Sequence, residues 1–314
     1  MPLRAAVRYK QVVIAGHRLV NDRRVIAGSA VLLFLAISST ASSPGVADPD
    51  RSETPTLSPA DRSFVLGNVG FALLHEFGHV VIRTFDIPLL GLEENSADTL
   101  AAVSLILLDR ERPEAGFGEV LGVTALAQEF VWESGLEREQ SEVVLWAQHD
   151  LSARRFARLV CLIYGSNPDR FAWVAKVADM QENRAEGCSD EWRIAERATQ
   201  WVRETYGIAS NKRASQSSAA IDVSYGTPLD PTETALTDML RQSNLLERLA
   251  RYMQTQFAFP EPITIRLTHC RAPNAYWDEE YREVTLCFEL MTALLKIADQ
   301  PQVAAAVDRF RARR

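Results

Sequence analysis

Metal-ligating residues are scarce in this chain: 314 residues carry four cysteines and five histidines. Cys161, Cys188, Cys270 and Cys287 form no C-x-x-C pair, and their spacing fits no structural zinc site. A surplus of basic charge is missing as well. The net charge is −7, so no positive field exists to draw phosphates, and general nucleic-acid binding is excluded. Arg309, Arg311, Arg313 and Arg314 read as a solvated helix end rather than a binding arm. The apolar run near the N-terminus, residues 25–37, is short for a stable membrane span. What remains is ordinary globular composition, 47% hydrophobic and 24% charged, at a length that suits one large domain or two modest ones.

Two of the histidines stand in His75-Glu76-Phe77-Gly78-His79, inside an otherwise apolar run over residues 64–82. On a helix, positions i and i+4 share a face, so both imidazoles point the same way. That geometry grips one zinc ion and leaves Glu76 beside the metal as a general base. Three polar side chains in a core helix cost free energy unless something satisfies them, and a bound metal does.

Two imidazoles do not complete a catalytic zinc site, so a third ligand is expected downstream. Pro88 and Gly91 break the helix and permit a sharp reversal. A second helix starting near Leu92 puts Glu94 and Asp98, four apart, on one face. Glu94 is then the third ligand, and Asp98 hydrogen-bonds the outer nitrogen of a ligating His. Glu93 falls elsewhere on that helix and reads as solvated, a first-turn complement to the helix dipole. The plainer reading of the set is core and capping side chains that satisfy one another.

HEFGH, the short Pro/Gly reversal and Glu-x-x-x-Asp resemble the gluzincin class of zinc metallopeptidases. In detail, HEFGHVVIRTFDIPLLGLEENSADTLAA is similar to a bacterial family of proposed metallopeptidases whose function is unassigned. The similarity continues through His149-Asp150-Leu151 and Cys161-Leu162-Ile163-Tyr164-Gly165, and covers residues 60–205. The resemblance implies an α+β, mostly α-helical fold with a zincin-like metallopeptidase core. It also implies one zinc ion per chain on His75, His79 and Glu94, Glu76 as the catalytic carboxylate, and a peptide or protein substrate. It does not supply the identity of that substrate.

Residues 1–47 read as a signal peptide or N-terminal anchor: Arg23-Arg24, the apolar run, then small residues over 38–43. Cleavage after Ala41 or Ala47 and retention as an anchor both stay open. The expected location is therefore periplasmic or secreted, with membrane contact only through an uncleaved leader. Cysteines pair in an oxidising compartment. The most local connectivity is Cys161 with Cys188 and Cys270 with Cys287; the alternative is four buried free thiols.

After a polar, Pro-rich tether over 48–62, helical periodicity over 64–83, 94–108, 118–135, 143–164, 169–177 and 191–206 builds a helical domain, residues 63–208, which the resemblance implies is a zincin-like metallopeptidase domain. Residues 209–234 read as a linker or a surface excursion. Residues 235–314 read as a helix–hairpin–helix segment. It comprises a helix over 236–253, a small β-hairpin of strands 263–267 and 284–288 around a turn-rich 273–279, and a helix over 290–297.

Asn274-Ala275-Tyr276-Trp277 and the strand after it resemble a stretch that precedes the HExxH helix in many gluzincin-like peptidases. There an edge strand pairs with the extended substrate. Here it follows the metal motif. Either the chain completes its cleft in a permuted order, with Asn274 and Tyr276 binding substrate, or the hairpin is an independent unit.

The expected function is peptide-bond hydrolysis by a zinc-activated water with Glu76 as general base. The oxyanion needs a further electrophile. His17 lies in the leader, so His149 and His269 are unused; His149 is the preferred catalytic candidate, and Tyr276 a further donor. A His149–Asp150 pair on a helix surface is the plainer reading. Two competitors remain: a catalytically inactive zinc-binding protein of the cell envelope that holds peptides or proteins, and an envelope structural protein without metal.

Overall fold

The computed structural model describes residues 55–111, 122, 124, 125, 127, 152–208 and 218–311. The leader, most of the tether, His149, most of the helix expected over 118–135 and residues 143–151 of the helix expected over 143–164 lie outside these residues. Helices α1 (Pro59–Thr84), α2 (Glu93–Glu111), α3 (Ser152–Ser166), α4 (Pro168–Val177) and α5 (Glu182–Tyr206) come first. Strand β1 (Ile221–Tyr225), α6 (Pro231–Ser243), α7 (Leu245–Gln256), β2 (Ile263–Thr268), β3 (Ala275–Asp278), β4 (Glu283–Cys287), α8 (Phe288–Ala298) and α9 (Pro301–Arg311) follow. The fold is α+β and mostly α-helical.

Helix α1 is the axis. Ser58 caps it reciprocally: the Asp61 N–H donates to Ser58 Oγ at 3.1 Å, and the Ser58 N–H donates to Asp61 Oδ2 at 2.7 Å, with Pro59 pre-set for the first turn. It is the one described helix long and apolar enough to cross a membrane, and it is buried inside the protein instead. It packs against α2, α7, α8, α9 and β3. Phe64, Leu73 and Phe77 are wholly buried, each stabilising the fold by about 1.5–3 kcal/mol relative to exposure. Phe77 meets Phe259, and Phe85 meets Phe257 and Phe259, so the first helix and the C-terminal segment share one core.

The sheet runs β1-β2-β4-β3, with β1, β2 and β4 parallel and β3 antiparallel at the edge. This corrects three expectations. The strands over 263–267 and 284–288 do not form a hairpin with each other; they lie side by side in parallel, and the hairpin is β3–β4. Strand β3 occupies the stretch that read as turn-rich. The stretch 209–234, read as a linker, supplies β1 and the start of α6. Its five residues carry too little apolar period to stand out, and β1 is fixed by ladder bonds to β2 and by α7 packing on it. The helix expected over 236–253 is two, divided at Asn244, whose φ of 49° is left-handed.

Both cysteine pairs are bonded within their own segments. Cys161–Cys188, with Cα atoms 5.0 Å apart, staples α3 to α5. Cys270–Cys287, 5.5 Å apart, joins the loop after β2 to the last residue of β4.

Gly78 decides how near α2 comes to α1. A Cβ at Gly78 would lie 2.8 Å from the Ala97 Cα, a backbone atom that no rotamer change can move. Gly78→Ala should therefore push the helices apart and cost about 1–3 kcal/mol, as overpacking does. Denaturant unfolding of the variant measures this; a midpoint equal to that of the unaltered protein would show that the helices tolerate separation.

Candidate metal centre

Helix α1 ends where the Ile87 N–H donates to the Ile82 carbonyl at 3.0 Å and Asp86 takes a φ of 49°, turning the chain back. Residues 88–92 complete the reversal, and Glu94 then stands second in α2, facing the histidines across the Gly78–Ala97 contact. His75 Nε2 and His79 Nε2 are 3.2 Å apart. Glu94 Oε2 lies 3.3 Å from the first and 3.2 Å from the second. Tetrahedral coordination at about 2.0–2.2 Å would separate ligand atoms by about 3.3–3.6 Å. The triangle therefore fits one small divalent ion, and all three residues are buried.

Glu76 is wholly buried beside them, and neither of its oxygens has a hydrogen-bond partner. The Trp277 backbone N–H faces this carboxylate and favours its ionised form, without reaching hydrogen-bond geometry. Burial dominates and raises the Glu76 pKa, against the pull of His75 and His79.

Each imidazole is held from behind. His75 Nδ1 lies 2.8 Å from Asp98 Oδ1, and Arg155 grips Asp98 through Nε at 2.9 Å and a terminal nitrogen at 2.7 Å. His79 Nδ1 lies 2.8 Å from Glu93 Oε1, and Arg83 grips Glu93 through Nε and a terminal nitrogen, both at 2.9 Å. With Nδ1–H donated backward, each Nε2 lone pair faces the triangle. This corrects the reading of Glu93 as a solvated dipole complement: it is half-enclosed between His79 and Arg83.

Sequence reasoning missed both arginines. Arg83 had a signal, since it follows His79 by one helical turn on the same face. Arg155 had none, coming from a separate helix. His269 takes no part in this cluster; it pairs with Glu233 at 3.0 Å and stacks on Phe288. The side-chain oxygen of Asn274 is buried without a partner, and Tyr276 packs half-buried against the core. Cys270, Cys287 and Glu289 also cluster, but the cysteines are bonded and Glu289 accepts the backbone N–H groups of Cys270 and Arg271.

The charges explain what a metal would do here. Among the described residues, Arg83 pairs with Glu93 and Arg155 with Asp98, and a divalent ion would add positive charge beside Glu76 and Glu94. Burial by itself would lower the His79 pKa, but Glu93 and Glu94 override it and push it up to about 10; His75 is raised in the same way by Asp98 and Glu94. Burial works against Asp98 ionisation as well, and Arg155 and His75 still hold its carboxyl well below the usual range.

The sign of the stability change follows. His79 binds its proton more tightly folded, at about 10, than unfolded, at 6.5. Its contribution is complete below pH about 6.5 and fades as pH rises through about 10. Metal-free protein should lose stability over that window, whereas metal-saturated protein should not. Denaturant midpoints at pH 6.5, 8 and 10, with and without divalent metal, test this; parallel curves would refute it.

The chain matches the model of a family described as "Putative metallopeptidase" over residues 48–203 and 225–312. Comparison with curated proteins gives no match, nor does comparison with solved structures. The two matched stretches carry the histidine helix and most of the sheet packed on it, so the match covers both halves of the shared core. On that breadth of agreement, the chain belongs to the putative metallopeptidase family.

Proposed function

We propose that the protein is an exported zinc metallopeptidase that hydrolyses peptide bonds. The observation that carries the reading is the convergence of His75 Nε2, His79 Nε2 and Glu94 Oε2 beside the buried, unpartnered carboxylate of Glu76. Two imidazoles and one carboxylate are the donor set of a catalytic zinc site that keeps one position open. Zinc held there by His75, His79 and Glu94 would supply a Lewis acid that polarises a carbonyl and lowers the pKa of a water to about 7.

Glu76 would accept a proton from the attacking water and hand it to the leaving amine. Burial raises its pKa above the ordinary carboxylate value, which suits a group that must both accept and release a proton. Asp98 and Glu93 keep the imidazoles aimed. His149 stays the candidate donor to the oxyanion.

Strand β3 supports a place for the substrate. The Cys287 N–H donates to the Asn274 carbonyl at 3.0 Å, so ladder alternation turns the backbone groups of Ala275 and Trp277 toward the open edge. The Trp277 N–H there faces Glu76. An extended peptide added along this edge would bring its backbone to the general base, with Asn274 and Tyr276 flanking it. Two disulfides fit the oxidising compartment that export would reach.

One observation favours the second reading, a zinc-binding protein that holds peptides without turnover: Glu76 and His79 have no exposed surface at all. The variant Glu76→Gln separates the two. It should fold and retain zinc, yet lose peptide hydrolysis by about 10²-fold or more, the usual general-base contribution. Unchanged hydrolysis would sink the mechanism, loss of zinc would make Glu76 structural, and an unaltered protein that carries zinc but cleaves no peptide pool would establish the binding reading.

A further inference from the structure

We infer that Arg83 and Glu93 form a positioning pair that sets metal affinity through His79. The inference rests on the metal reading above. Arg83 lies one turn beyond His79 on α1, and Glu93 opens α2. The Glu93 carboxylate bridges them: Oε1 accepts from His79 Nδ1 at 2.8 Å and from Arg83 Nε at 2.9 Å, while Oε2 accepts from a terminal Arg83 nitrogen at 2.9 Å. One side chain thus fixes the ring orientation of a ligand, and a second fixes the first. Only the fork of an arginine makes both contacts at once.

The arrangement answers a problem that the sequence creates. Glu93 and Glu94 are adjacent carboxylates, and both reach the His79 ring, one at each nitrogen. Glu94 belongs to the ion; Glu93 must be kept behind the ring. Arg83 does this by occupying Oε2 and sharing Oε1. Released, Glu93 would be free to rotate toward solvent or toward the metal face. His75 has a matching brace in Asp98 and Arg155, but that pair is deeply buried. The Arg83 and Glu93 side chains keep 30% and 23% of their surface exposed, so changes there disturb the core least.

Two effects compete when Arg83 is removed. An uncompensated Glu93 adds negative charge near a cation and favours binding, while the ring loses its fixed aim. Solvent at this edge screens the first effect. Loss of an outer partner weakens metal binding by about 10–100-fold. The net sign is weaker binding.

The test is zinc affinity of the full chain by chelator competition, beside thermal unfolding of the metal-free forms. Arg83→Met and Glu93→Ala should each raise Kd about 10-fold or more. The double variant should be no worse than Glu93→Ala alone, because the hydrogen bonds by which Arg83 acts on the ring run through Glu93. Arg83→Lys, which keeps the charge without the fork, should fall between, and it decides the matter if Arg83→Met does not fold. Unchanged or tighter binding in the arginine variants would overturn the inference, as would additive losses. So would lower metal-free stability with Kd unmoved, the mark of a merely structural pair. If the unaltered protein binds no zinc, it is the metal reading that fails, and this inference goes with it.

Discussion

Buried negative charge is the constraint around which this molecule is arranged. Glu76, Glu94 and Asp98 are almost wholly enclosed, Glu93 is partly so, and a carboxylate removed from water is costly unless it is paired. The pairing is built in layers. Two imidazoles stand at the centre, carboxylates lie on both sides of them, and an arginine backs each outer carboxylate. Within that arrangement a divalent ion would take over part of the electrostatic role that protons on the imidazoles otherwise play, so metal binding there would couple acidity to fold stability.

The helices meet that constraint through close approach. Gly78 lets α2 settle against α1 so that the short side chain of Asp98 and the adjacent glutamates reach imidazoles one turn apart. Arg155 arrives on α3, which a disulfide staples to α5. The staple matters beyond its local contribution, because an arginine that must hold a buried aspartate cannot ride on a helix that drifts. Gly165 serves the same packing: a Cβ there would run into the Cys188 carbonyl, so α3 and α5 touch backbone to backbone.

The sheet adds what the helices lack. Its strands follow the histidine helix in the chain, yet β3 and β4 lie against that helix in space, and the antiparallel edge strand β3 presents the Trp277 backbone to Glu76. Chain order therefore does not control how this centre is put together. A core shared by Phe77, Phe85, Phe257 and Phe259 holds the early and late segments in register.

By itself, the sequence determined what a single helix can determine. The spacing of His75 and His79 set two rings on one face, and the Pro88–Gly91 reversal with Glu94 and Asp98 four apart carried the next two residues, because helical period is a local property. Nearness in sequence likewise gave the two cysteine pairs. Tertiary structure decided the rest. Whether Glu93 met water or His79 depended on how α2 was rotated against α1, a matter of packing at Gly78 rather than of period. That Arg155 would reach Asp98, that β1 would form within an apparent linker, and that β2 and β4 would lie parallel all depended on contacts between distant segments. Such contacts leave no periodic trace, since they are selected by the shared burial of surfaces and charges that only the folded chain brings together.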